Sequence, residues 1–598
     1  ERCGFPSEAD LATLEETVQY TLYDPYNWKE DRTVRQKVLT YAGKKQLSDL
    51  KFTFNPAQEH ISLVEATVTS PDGRMKYIDP EKEINVMDAQ WVAEAPRYPA
   101  GKIMVASLPG VEVGSTIEYH TVSINRGLPF FSAAEYFSGH NPLVSKTVRI
   151  ELPYKMEMEI NSPDPHLVRR FTRAGNGTVI HEWSVQNRDM VKKEEHLPPE
   201  WISQPTVLLS CGDIPDYSAQ VEKTLLKAAG QNKAAKAKTR ELTRHLKTRT
   251  EKITALRNFV DRAVRPAGPG FSALPLSAVT PADQVLAEGY GNTADRAVLL
   301  YALLDAAGLN PRFILSSSLP RGGSASLPAI TTLQRGFFDS VLVTATGDKD
   351  QTVYLGDSSQ YAEPGTLAHD GRPAIDLKDG QLEIPQSKLP DSIETRLGLI
   401  LSENGDIRLS RKSIFFGTLF EKFHQQFAQF TPEERRREYQ SLLSSISQSA
   451  EAASELQTSF TYPGNMEFTA TLPGYAVHDG DCIYMNLPEG LDDLLNLKAS
   501  RRENPFYIEN PICRAFLYEI TLPEGWEPVL IPGTFRIELP AGAGTVETRM
   551  FSSSGKILIL QQAQINAAII PPEDYDKLLA LNGRLTAPSA KAILLRKK

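Results

Sequence analysis

The sequence predicts a multidomain α+β protein: an N-terminal β-sandwich, a central α+β block and a C-terminal β-rich block. Three observations carry this. At 598 residues the chain is too long for one core, and at roughly 150 residues per domain it divides into about three to four. Alternating apolar and polar stretches dominate its first and last thirds. A long helical pattern separates them. The blocks run 1–205, 215–385 and 390–598.

The first block alternates over Ile61 to Val68, Ile117 to Val122 and Val148 to Leu152, the period-2 mark of half-buried strands. Asp72-Gly73 and Asn176-Gly177 suit hairpin turns, which need residues that tolerate positive φ. Asn176-Gly177-Thr178 also fits a glycosylation sequon, but the hairpin accounts for it. Many short strands with such turns read as a sandwich.

The second block opens on a helical stretch from about Ser218 to Ala263, rich in Lys and Arg. In an acidic chain this reads as a solvated helix face rather than a basic docking surface. Pro266 to Gly270 breaks it. A second helix runs from Thr293 to Gly308, with Pro311 beyond. Strands follow at Arg312 to Leu315, Ser340 to Thr344 and Thr352 to Leu355.

In the third block, Asn404-Gly405 between two apolar strands is a hairpin signature. Thr431-Pro432-Glu433-Glu434 is a capping box with Pro at the first helical position. One helix is expected there. Strands resume at Phe516 to Thr521, Phe535 to Leu539 and Thr545 to Phe551, and a short helix at Glu573 to Leu581 is expected to close the chain.

Composition narrows function. Hydrophobic residues at 41% and charged residues at 23% exclude wholesale disorder. A net charge of -9 argues against nucleic acid as a partner. No apolar run approaches the ~18 residues of a membrane helix, so no transmembrane segment is expected. Four cysteines, Cys3, Cys211, Cys482 and Cys513, exclude a disulfide-dense scaffold. Cys482 and Cys513 either pair or stay as free thiols. No CxxC or HExxH motif is present, so neither a metal site nor a cofactor is expected. The chain begins at Glu1, which fits removal of a signal peptide; Cys3 is not first, so no lipid anchor is expected.

The informative stretch is Gly289-Tyr290-Gly291-Asn292-Thr293-Ala294-Asp295-Arg296, followed by the apolar run to Gly308. A Gly turn delivers Thr293 to a helix N-terminus. Free N–H groups and the helix dipole stabilise an anion there, and would activate a cysteine. The stretch resembles the core of transglutaminase-like cysteine hydrolases, matching at Gly291, Asp295, Ala297, Leu299, Leu300, Leu303, Leu304, Ala307 and Gly308. Lys252 to Val260 looks like that family's pre-catalytic helix. The first block resembles the domain of unknown function that often precedes transglutaminase-like domains in bacterial envelope proteins, through Tyr23-Asp24-Pro25, Ala66-Thr67-Val68 and Ser70-Pro71-Asp72-Gly73. The third block looks like the companion C-terminal domain.

Carried over, the resemblance places the nucleophile on Thr293, the base on Ser340 or Asp339, and the acid on Asp357. A thiol is easily ionised by a neighbouring imidazole; an alcohol needs a good general base, and serine cannot serve. Losing such coupled groups removes several orders of magnitude of rate. Thr293 is then expected to N-cap its helix, and Asp357 is either a retained acid or a turn residue. Cys211, His369 and an Asp339 base lack motif support as substitutes. His120 and His181 read as sheet-surface residues. The resemblance implies a non-catalytic transglutaminase-like protein, periplasmic or extracellular, that binds a protein, peptide or glycan. The alternatives are an active hydrolase or acyltransferase with an unrecognised nucleophile, and a structural or adhesive β-protein whose middle block is a spacer.

Overall fold

The computed structural model describes residues 4–175, 177–322, 326–356, 359–553 and 555–598. The chain forms two compact units, one from residues 1–357 with 371–385 and one from 358–370 with 386–598. Both mix helices with larger sheets.

The first unit begins with an eight-stranded sheet in the order Arg170–Arg173, Thr178–Arg188, Leu143–Pro153, Leu11–Asp24, Asn27–Val38, Thr116–Asn125, Glu59–Thr69, Met75–Tyr77. The three alternating stretches of the sequence all lie in it. Only the Leu11–Asp24 and Leu143–Pro153 pair is parallel. Alternation buries Val18, Tyr20, Val148, Ile150 and Trp183 against Val207 and Leu209 of a second, three-stranded sheet. Gly73, at φ +86°, makes the turn before Met75–Tyr77. Asn176 lies outside the described residues, but the strands flanking it pair.

The long helical stretch is three helices, not one: Ile214–Ala229, Lys233–Thr243 and Arg249–Ala263. The chain breaks at Gly230 and again before Thr248, which caps the third helix in a capping box with Glu251. The first two helices bury Val221, Leu225 and Ala235 and leave Lys223, Lys227, Lys236 and Arg240 exposed, as a solvated face requires. They surround the helix Thr293–Ala306, which is buried on all sides from Ala294 to Leu300. Gly308 follows it at φ +72°, a conformation glycine adopts freely. This helix packs on the strand Ser340–Thr346. That strand belongs to an antiparallel sheet in the order Thr352–Leu355, Ser340–Thr346, Arg312–Ser316, Ala374–Asp376, Gln381–Glu383.

The second unit is built on a nine-stranded sheet that includes Ser392–Leu401, Ile407–Phe416, Gly464–Leu472 and Ile512–Thr521. Asn404-Gly405 turns the first hairpin, with Gly405 at φ +88°. Two helices follow rather than one, Gly417–Gln429 and Pro432–Ile446. The first buries Phe420, Phe423 and Phe427, spaced for one helical face. The late helix, Tyr575–Thr586, does not close the chain: the strand Ala592–Lys597 follows and pairs with Cys482–Asn486. Cys482 and Cys513 are free thiols on strands of different sheets. Among the described residues no helix is long and apolar enough to cross a membrane.

Candidate functional site

The site is built on the tip of the helix Thr293–Ala306. Val264 ends the helix Arg249–Ala263, and Arg265–Pro266 pairs in parallel with Tyr290–Gly291. This short pairing aims the chain into the helix. Asn292, not Thr293, is its N-cap: the Asn292 Oδ1 accepts from the Asp295 N–H at 3.0 Å. The expected capping role of Thr293 is therefore corrected. An amide one residue earlier already satisfies the free N–H. Thr293 occupies the first helical position, half-buried. Among the described residues, no hydrogen bond uses its hydroxyl.

Beneath the tip lies a buried polar knot that motif matching did not foresee. The Asp295 carboxylate accepts from the Tyr98 hydroxyl at 2.6 Å, the Arg97 guanidinium at 2.9 Å and the Thr280 N–H at 2.8 Å. The Asn292 N–H donates to the Tyr98 oxygen at 2.8 Å. Arg97 also pairs with Glu288 and lies over the Tyr290 ring, 4.3 Å from its centroid. Burial, then the Asp295 charge, raises the Tyr98 phenol above its ordinary value. Burial opposes the charge on Arg97, but Glu288, Tyr98 and Asp295 outweigh it and raise its pKa. Asp295 carried a motif signal in the sequence. Arg97 and Tyr98 carried none, because they lie almost two hundred residues away.

Ser340 opens its strand and pairs with Ser316, half-buried. Its neighbour Asp339 accepts from the Ser272 N–H at 2.5 Å. An added Cβ on Gly270 would overlap the Asp339 carboxylate, so this close approach needs glycine. The Asn292 Nδ2 donates to the Pro269 carbonyl at 3.3 Å. One loop, residues 269–272, thus bridges the neighbours of Thr293 and of Ser340. Asp357 lies outside the described residues.

Of the substitute nucleophiles and bases, Asp339 stands next to Ser340. Cys211 packs against the Met156 sulfur at 3.9 Å, and burial pushes its thiol up to about 12, so it is protonated near neutrality. His369 belongs to the second unit. The middle block's other histidine, His245, sits exposed in a turn. His181 is buried beside Trp183 and Phe171 on its sheet, and His120 lies 3.4 Å from Asp31. Among the described residues no group of three or more His, Cys, Asp or Glu side chains could hold a metal ion.

With this geometry in place, comparison with known proteins is informative at both ends. Residues 24–192 match DUF3857, a domain of unknown function with a solved structure. Residues 482–595 match DUF3858, likewise a domain of unknown function with a solved structure. The chain carries both domains. Arg97 and Tyr98 lie in the DUF3857 region and clamp a helix outside it. No curated protein matches the chain. Among solved structures, a putative protease from Parabacteroides distasonis aligns with TM-score 0.68 and 17% identity, over 98% of this chain and 99% of that one. It shares the fold. An M1 zinc metallopeptidase from Deinococcus radiodurans reaches TM-score 0.19 at 14% identity, over 34% of this chain and 44% of that one. A putative nutrient binding protein from Legionella pneumophila reaches 0.18 at 9% identity, over 50% and 96%.

Proposed function

We propose that the chain is a non-catalytic transglutaminase-like protein of the bacterial cell envelope that binds a protein, peptide or glycan. One observation carries this reading: Thr293 stands at the tip of a buried helix, and the strand packed on that helix opens with Ser340. Neither side chain titrates near neutral pH. An alcohol at such a tip gains little from the helix dipole without a base to take its proton. The Asp339 carboxylate, next to Ser340, is engaged by the Ser272 N–H. DUF3858 typically follows transglutaminase-like domains, which supports the family reading of the middle block. The envelope location rests on the family resemblance, and fractionation of the source cells tests it.

Assays for isopeptide formation, amidase and peptidase activity on a broad panel should give no turnover. Turnover that Thr293→Ala abolishes would overturn the reading. The likeness to a protein named as a putative protease favours a second reading, an active hydrolase or acyltransferase with another nucleophile. Thiol- and hydroxyl-directed acyl probes separate the two. Labelling of a residue around the helix tip would favour the second.

A further inference from the structure

A cavity of about 210 Å³ in the first unit borders the loop that joins the neighbours of Thr293 and Ser340. Pro269, Ser272 and Ala273 form part of its wall. At roughly 30 Å³ per water it holds about seven waters, which suits a ligand of amino-acid size and excludes a folded partner.

Its polar groups are arranged unusually. The half-buried Arg335 guanidinium donates to the Ser272 carbonyl at 2.5 Å. Among the described residues no carboxylate lies within ion-pair distance of it. Glu59 lines the same cavity, half-buried, accepting from the Ser123 hydroxyl at 2.7 Å, which in turn accepts from Asn125 at 2.9 Å. Among the described residues Glu59 makes no direct ion pair either, although the Arg335 charge acts on it. Burial holds the Arg335 pKa down despite the opposing pull of Tyr217, Asp339 and Glu59, and pushes that of Glu59 up despite Ser123 and Arg335. The Gln58 side chain is 7% exposed and also lines the cavity, yet its Nε2 has no hydrogen-bond partner among the described residues. Burying an amide N–H without a partner, and charges without a direct ion pair, costs free energy. Such groups are retained where a ligand completes them. Trp91 and Leu128 supply an apolar wall.

From this arrangement we infer that the cavity binds a small α-amino carboxylate zwitterion. Its carboxylate meets Arg335, its ammonium meets Glu59, and its side chain lies against Trp91 and Leu128. A free amino acid and a short peptide share this chemistry. The inference takes the reading of the chain as a binding protein to a ligand class.

Isothermal titration of the full chain with leucine and with Ala-Ala tests it. Binding of either supports the inference, and which one binds identifies the source. Amidating the carboxylate or acetylating the amine of the binder should weaken it at least tenfold. Arg335→Gln should weaken the zwitterion at least tenfold and erase its advantage over the amide. Glu59→Gln should do the same for the acetylated form. Thermal melts check that the variants fold; if Arg335→Gln does not, Arg335→Lys keeps the cation and should retain binding. No heat with either probe, equal binding of the blocked forms, or unchanged binding in the folded variants would overturn the inference. Those results leave the non-catalytic reading standing, whereas Thr293-dependent turnover would sink that reading alone.

Discussion

Asp295 shows how much a single carboxylate can hold. It is 1% exposed and joins Arg97, Tyr98 and the Thr280 backbone. Removing one member of a buried ion pair leaves the other charge unmatched. Asp295→Asn should therefore cost about 3 kcal/mol, read as a lower urea midpoint with an unchanged slope. Glu135, on the three-stranded sheet, plays a similar part where that sheet faces the eight-stranded one. It is 3% exposed and meets Tyr20 at 2.7 Å, Arg32 at 2.8 Å and Lys146 at 2.8 Å. Burial alone would raise its pKa, but Arg32 and Lys146 outweigh burial and hold it below the usual 4.5. A carboxylate with a depressed folded pKa stabilises fully above its unfolded pKa, and that contribution fades as acid protonates it. Melting temperature should fall as pH drops below about 4.5. Glu135→Gln should be less stable at neutral pH and show a shallower acid decline. Parallel declines in the two proteins would refute this assignment.

At the scale of elements, the helix tip separates two residues that the sequence could not. Asn292→Ala removes the cap and the bond to Pro269, and should cost about 1 kcal/mol. Thr293→Ala should change stability by less than about 0.5 kcal/mol. Chemical denaturation of the pair distinguishes a capping threonine from a bystander, and a larger loss at Thr293 would reverse the assignment. Gly270→Ala forces Asp339 off the Ser272 N–H, and overpacking of this kind costs about 1–3 kcal/mol. Strand and turn elements were legible where one face is buried: Ile117 to Val122 and the Asn404-Gly405 hairpin carry their own patterns. The long helical stretch was not, because Gly230 and Thr248 punctuate it within sequence that favours helix throughout. The helix Gly417–Gln429 was readable from Phe420, Phe423 and Phe427 but follows a strand without a side-chain cap to announce it.

Across the whole molecule, the chain passes between its two compact units three times, after 357, 370 and 385. Residues 358–370 belong with the C-terminal unit. There Ser359 donates to Glu421 at 2.6 Å and His424 Nδ1 donates to the Tyr361 carbonyl at 2.9 Å. A fragment spanning 358–598 should therefore melt higher than one spanning 386–598. Equal melting temperatures would show that the inserted segment adds nothing. Each unit holds cores of its own, so calorimetry of the full chain should resolve more than one transition.

Taken by itself, the sequence determined the alternation that makes sheets, the glycine turns, and the absence of sulfur and imidazole at Thr293 and Ser340. Those properties are local, set by one residue's type and its near neighbours. Only the tertiary structure decided that Arg97 and Tyr98 clamp Asp295, and that Arg335 and Glu59 share a cavity without a direct ion pair. These depend on which distant segments meet when the core closes, and no spacing along the chain encodes that meeting.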